Sequence, residues 1–188
     1  SQQRRVESSS LRPSRNPLRR VLRDQLIKQM TDYVINVLEE PREEFSGLPV
    51  CPFVKADRVR EQLFIDVFDS DNETLVDVIL RFIRSGKTSA LVAQANDELS
   101  GRESREYEKF INIMIEEIVG KKNKITALVF NPNDELEVEG YNPRSKAPCL
   151  LINMAYVKDL YKAHQSLKKT NYYDKMPEIY RNLLGIEL

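Results

Sequence analysis

At 188 residues, with 41% hydrophobic and 31% charged side chains, the chain is long enough to bury a core without staples, and two cysteines exclude a disulfide-rich scaffold. No stretch approaches the ~20 apolar residues of a membrane-spanning helix, so a soluble protein with no membrane partner is expected. The formal charge of zero conceals a segregation: residues 1–29 carry Arg4, Arg5, Arg12, Arg15, Arg19, Arg20, Arg23 and Lys28 against Glu7 and Asp24, a surplus of six that the remainder cancels.

Residues 1–15 combine Ser, Arg, Gln and Pro with little apolar surface, which predicts a flexible basic arm. A polar, basic start without an apolar signal region, together with sparse cysteine, points to a reducing, cytoplasmic compartment. Asn16 and Pro17 then supply a cap and a first-turn residue. Leu18, Val21, Leu22, Leu26, Met30, Tyr33, Val34, Val37 and Leu38 follow at helical spacing, so one long helix is predicted over residues 17–40, ended by Pro41.

After the Gly47-Leu48-Pro49-Val50-Cys51-Pro52-Phe53 segment, a strand is predicted over 62–68, with turn and capping chemistry in Asp69-Ser70-Asp71-Asn72. A helix over 73–84 follows, its core face read as Leu75, Val76, Ile79, Leu80 and Ile83, with Gly86 as its C-cap. A second strand is predicted over 89–94. Ser100 with Glu103 forms a capping box for a helix over 104–119 stopped at Gly120, and a third strand spans 125–130. A turn at Asn131-Pro132-Asn133-Asp134 leads to a short edge strand over 135–139, a Pro-rich basic loop over 141–148, and helices over 153–168 and 177–184.

The alternation predicts an α/β fold: one domain over 16–188, in two or three layers, with a small, mainly parallel sheet and an N-terminal helix. The pattern of Leu48-Pro49-Val50-Cys51-Pro52-Phe53, Phe130-Asn131-Pro132 and Tyr141-Asn142-Pro143-Arg144-Ser145-Lys146-Ala147-Pro148-Cys149-Leu150-Leu151 resembles a bacterial family of unknown function marked by a Cys-Pro-Phe motif. The resemblance covers about residues 45–160. In that family a Phe-His-Pro triplet follows the third strand and a His and Arg follow the Pro-Leu-Leu run. Here Asn131 occupies the first histidine position and residues 153–156 lack the later pair, so the resemblance implies that chemistry resting on those histidines is missing from this chain.

Cys51 is the candidate catalytic residue. A cysteine at a helix start has its thiol pKa lowered by the helix dipole, and Lys55, Arg58 and Arg60 follow closely. The competing reading is a small buried cysteine between prolines that set the chain direction. Cys149, beside Pro148 and Leu150-Leu151-Ile152, reads as a packing residue, and its pairing with Cys51 would need close Cα atoms. His164 is the single histidine, without companions for a metal constellation, and reads as a surface residue; a dyad with Cys51 has no support in the spacing.

Arg144, Ser145 and Lys146 form a candidate anion-binding loop, against the alternative of a solvated connection. Gly86-Lys87-Thr88 lacks the upstream glycine of a phosphate loop and sits where helix passes to strand. The Asp69 turn lacks the glycine and final acid of a calcium loop. No cofactor or metal is therefore expected. The functional expectation is a non-enzymatic binding or assembly protein whose basic arm (Arg4, Arg5, Arg12, Arg15, Arg19, Arg20, Arg23) and first helix engage an acidic protein partner, another subunit or nucleic acid. The alternative is a thiol-dependent enzyme or redox protein using Cys51 with the Arg144 and Ser145 loop.

Overall fold

The apolar stripe after Pro17 builds helix α1 (Pro17–Tyr33), which passes into a π turn (Val34–Leu38) closed by the Glu39 N–H on the Val34 carbonyl at 2.9 Å. The computed structural model describes residues 17–94, 99–120 and 124–183, so the arm expected over 1–15 lies outside the described residues. Leu26, Met30, Tyr33, Val34, Val37 and Leu38 are buried along this stretch, whereas Val21 and Leu22, read as part of the same stripe, are exposed. After Pro41 the chain makes a small hairpin, β1 (Pro41–Arg42) against β2 (Leu48–Pro49), around the buried Phe45. The turn requires positive φ at Ser46 and Gly47. Helix α2 (Val54–Val59) follows the Cys51-Pro52-Phe53 segment.

The main sheet contains β3 (Leu63–Phe68), β4 (Ser89–Gln94), β5 (Ile125–Phe130) and β6 (Leu150–Tyr156), in the spatial order β3-β4-β6-β5. The α/β class is as expected, but the mainly parallel sheet is corrected. β3 and β4 pair in parallel, and β6 pairs antiparallel with both β4 and β5. Residues 150–156 form this strand, where a helix is expected from residue 153; the helix begins later, as α5 (Val157–Leu167). Leu150 to Tyr156 is an unbroken apolar run apart from Asn153, and a doubly covered strand of that kind has no alternation to distinguish it from a buried helix. The edge strand expected over 135–139 is reduced to an isolated bridge between Val138 and Tyr141.

Helix α3 (Leu75–Ser85) opens with a capping box between Thr74 and Asp77, and α4 (Gly101–Val119) with the one between Ser100 and Glu103. Gly86 closes α3 at φ 68°. Its buried face is Leu75, Val78, Ile79 and Phe82; the expected Val76, Leu80 and Ile83 are only partly buried. α3 and α4 share one core cluster with Phe68, Val92, Ile152 and Met154, while α1, α2, α5 and α6 (Glu178–Leu183) border the sheet's opposite face.

Both open edges of the sheet are answered by side chains. On β3, the buried Asp66 carboxylate accepts from Arg23 of α1 and from Arg81 Nε of α3 at 2.8 Å, so one arginine arrives from each layer. Arg23 also donates to the Val67 carbonyl at 3.3 Å. On β5, Asn112 of α4 accepts from Ala127 N–H at 2.8 Å and donates to Ala127 C=O at 2.9 Å, and Glu108 accepts from Val129 N–H at 2.8 Å. These contacts take up backbone groups that would otherwise template a further strand.

Removing the Asp66 carboxylate leaves Arg81 with Glu73 alone, Arg23 without its ion partner and the Val67 N–H without its acceptor. Asp66→Ala is therefore expected to lower stability by about 2–4 kcal/mol in urea denaturation. Arg23→Ala, whose side chain is 45% exposed, should cost less than about 1 kcal/mol. An Asp66→Ala protein within about 0.5 kcal/mol of the parent would remove the clamp from the account of stability.

Candidate functional site

Between the sheet and the layer of α1, the Cys51 segment, α5 and α6 lies a cavity of about 310 Å³. Its floor is supplied by side chains of the sheet face that also carries Leu63 and Leu91: Leu128 and Phe130 from β5, and Asn153 from β6. Leu160, Ala163, His164 and Leu167 of α5 form one wall, and Tyr172, Tyr173 and Tyr180 of the C-terminal segment another. Cys51, Pro52, Phe53 and Tyr33 line the remainder, with Arg144 and Pro143 beside them.

Cys51 is fixed by its backbone, its N–H bonding the Leu38 carbonyl at 2.9 Å and its carbonyl accepting from Val54 N–H at 3.2 Å. The residue retains some exposed surface, yet its sulfur is desolvated, with the backbone N–H groups of Phe53 and Val54 near it. Burial pushes the thiol up to about 11, reinforced by the carboxylates of Asp57 and Glu39 and only partly opposed by those N–H donors. The cationic surroundings expected from Lys55, Arg58 and Arg60 are not assembled around it. Arg58 grips Glu39 in a two-point bond at 2.6 and 2.9 Å, and Lys55 and Arg60 are exposed.

Cys149 does not line the cavity; burial raises its thiol to about 11, against a bond from Gln94 N–H, and both cysteines are free. The expected anion loop is split by the fold. Arg144 is buried and lines the cavity, bonded to Asp134 at 2.9 Å and held over the rings of Phe130 and Tyr180 at 5.2 and 5.7 Å. Ser145 and Lys146 are exposed outside it. The Ser145 hydroxyl donates to the Asn142 carbonyl at 2.7 Å, and Lys146 sits over the Tyr141 ring at 5.1 Å. A 3-10 turn (Arg144–Lys146), organised by Asn142 accepting from the N–H groups of Arg144 and Ser145, turns the guanidinium inward and its neighbours outward.

His164 is corrected from a surface residue to a half-buried one lining the same cavity as Cys51. Its Nδ1 bonds the Tyr173 hydroxyl at 2.6 Å, and burial, with Lys168 nearby, lowers its pKa below the ordinary 6.5. Asn131, at the resembled family's histidine position, is buried and ties the end of β5 to the start of α4 by donating to the Leu99 carbonyl at 2.6 Å and to Ser104 Oγ at 2.5 Å. Among the described residues, no group of three His, Cys, Asp or Glu side chains is placed to hold a metal ion.

The partner-binding residues separate similarly. Arg4, Arg5, Arg12 and Arg15 lie outside the described residues, Arg19 is in α1, and Arg20 is exposed. Arg23 is paired with Asp66 of its own domain, and its side chain is 45% exposed. Sequence reasoning missed Asp134 and the tyrosines of the cavity. The Tyr172-Tyr173 pair, in a tail otherwise polar, was their available signal. No helix among the described residues is long and apolar enough to cross a membrane. Comparisons with family models, curated proteins and solved structures find no match to this chain.

With both thiol pKa values raised from the ordinary 9 to about 11, the folded protein holds its thiol protons where the unfolded chain releases them. Stability from this source is present below pH 9 and is lost as pH rises through 11. The Cβ resonances of ¹³C-labelled cysteine should therefore titrate in the native protein with a midpoint near 11, and near 9 after denaturation. A native midpoint below 8 for Cys51, read in a Cys149→Ser protein, would reverse the conclusion that its thiol is held protonated.

Proposed function

We propose that this protein acts by binding, and that its ligand is a small molecule with an apolar body taken into the cavity between β5, β6, α5 and the Cys51 segment. The observation that carries the reading is the cavity itself. At about 310 Å³ it falls within the range of ligand pockets, and it joins aliphatic and aromatic walls to a few polar groups. Burial of Cys51 favours binding over the thiol-enzyme alternative. A thiol near 11 leaves only about one molecule in ten thousand as thiolate at neutral pH, and the nearby carboxylates oppose its formation. The charge of Arg144, already answered by Asp134, supports a structural wall more than an open anion site. Membership in the Cys-Pro-Phe family belongs to the same proposal and rests on the motif residues alone.

A second reading, attachment through the first helix to an acidic partner or another copy, is favoured by the exposed Arg20 beside Val21 and Leu22, which are 64% and 49% exposed. In that reading a Val21→Glu/Leu22→Glu protein loses self-association or partner capture in sedimentation velocity, with the cavity's binding unchanged; unaltered sedimentation would remove the helix from the reading.

The cavity reading is tested with N-phenyl-1-naphthylamine, a neutral dye that brightens in apolar surroundings. It should bind the parent protein and raise its melting temperature. Ala163→Trp, which fills the space from α5, should weaken dye binding at least tenfold while the far-ultraviolet circular dichroism stays that of the parent. Equal binding by the filled variant would place the dye elsewhere and end the proposal.

A further inference from the structure

Six aromatic side chains line the cavity, from Tyr33, Phe53, Phe130, Tyr172, Tyr173 and Tyr180, and several of its polar atoms are already engaged. The Tyr33 hydroxyl donates to the Pro143 carbonyl at 3.0 Å, the Tyr172 hydroxyl to the Val50 carbonyl, and the Tyr180 ring lies beneath the Arg144 guanidinium at 5.7 Å. The Asn112 amide is spent at both ends on Ala127. The charges cancel as well. Arg144 faces Asp134, and Glu108 at the β5 side bonds Val129 N–H in surroundings whose burial raises its pKa. An anion entering such a space would have to compete with Asp134 for Arg144, and a cation would have to enter beside Arg144 itself, an unfavourable transfer in either case.

On the sheet floor and the α5 wall two polar valences remain, apart from the further N–H groups of Arg144, the second carboxylate oxygen of Glu108 and the Asn182 amide, which also line the space. Asn153 uses its Nδ2 on the Ala90 carbonyl at 3.2 Å, leaving Oδ1, and His164 uses Nδ1 on Tyr173, leaving Nε2 without a protein partner among the described residues. The Tyr173 hydroxyl can donate to Nδ1 or accept from it, and Nε2 is correspondingly a donor or an acceptor. A phenol-like hydroxyl satisfies either tautomer.

Resting on the cavity reading above, we infer that the ligand is an uncharged, planar aromatic molecule bearing one hydrogen-bonding group, and that His164 Nε2 is the anchor for that group. The rings supply stacking and edge contacts, and the neutral imidazole supplies orientation. His164 is thereby a specificity-determining residue rather than a catalytic one.

The chain contains one histidine, so ¹⁵N-histidine labelling gives a single imidazole whose two nitrogens are read without assignment ambiguity. Three probes separate the arguments: phenol, toluene of similar shape without the hydroxyl, and benzoate with the same ring and a charge. Phenol should move the Nε2 resonance and bind about three- to tenfold more tightly than toluene, the worth of one hydrogen bond. Toluene should bind without that nitrogen shift, and benzoate at least tenfold more weakly than phenol. In His164→Leu the preference for phenol over toluene should vanish while toluene binding persists. Equal affinity of phenol and toluene in the parent, with no Nε2 shift and both blocked by Ala163→Trp, overturns the anchor and leaves the cavity reading standing. Benzoate binding as tightly as phenol overturns the charge argument. Failure of all three probes and of the naphthylamine dye overturns both readings.

Discussion

Strand β6 lies antiparallel between β4 and β5, and the positions of the cavity, the edges and the buried ion pairs follow from that insertion. β3, β4 and β5 all run in one direction, since β4 and β5 are each antiparallel to β6. The crossover through α4 must therefore step over the place of β6, carrying β5 to the edge of the sheet. There α4 lies along it, and Asn112 and Glu108 occupy backbone positions that a fifth strand would take. The segment leading into β6 brings Arg144 to one side of the cavity, and β6 itself places Asn153 in its floor opposite Leu128 and Leu91.

Charge follows the same logic of internal completion. Asp66 receives one arginine from each layer, Arg144 meets Asp134 on a turn shaped by Asn142, and Glu39 holds Arg58 beside the Cys51 segment. A buried ion whose partner is removed is far more costly than the pair, so each of these contacts constrains the elements that bring it together. The clamp on Asp66 is also a constraint on the basic leader. Arg23 belongs to the count of positive charge that the sequence segregates near its start, yet its guanidinium closes the edge of β3. The charge pattern thus serves the fold at this position, while Arg20, one turn earlier, faces solvent.

At the cavity, tyrosine hydroxyls hold the surrounding segments in place. Tyr33 ties α1 to the Pro143 loop, Tyr172 ties the C-terminal segment to Val50, and Tyr173 fixes the imidazole of α5. Each hydroxyl reaches a polar partner while its ring remains against apolar surface, which is how an aromatic side chain bridges two segments without an unsatisfied group. Cys51 enters this arrangement as a neutral wall. Its backbone is locked to Leu38, and its sulfur is desolvated too strongly for the short helix behind it to stabilise a thiolate.

What the amino-acid order determined by itself was local: the capping box at Ser100 and Glu103, the left-handed cap at Gly86, and the strands at 89–94 and 125–130, each written in a few adjacent residues. It also placed Cys51 and Arg144 among the residues of interest, and both reach one cavity. Tertiary structure decided the rest. The run at Leu150 to Tyr156 is apolar on both faces, so neither its secondary structure nor its pairing direction is encoded in its period, and only the space between β4 and β5 selects a strand. Whether Cys51 is activated or suppressed, whether Arg144 is open or paired, and whether His164 faces water depended on which distant side chains arrived beside them. Desolvation and Coulomb interactions act through space, and no spacing along the chain records the distance from Arg144 to Asp134 or from His164 to Tyr173.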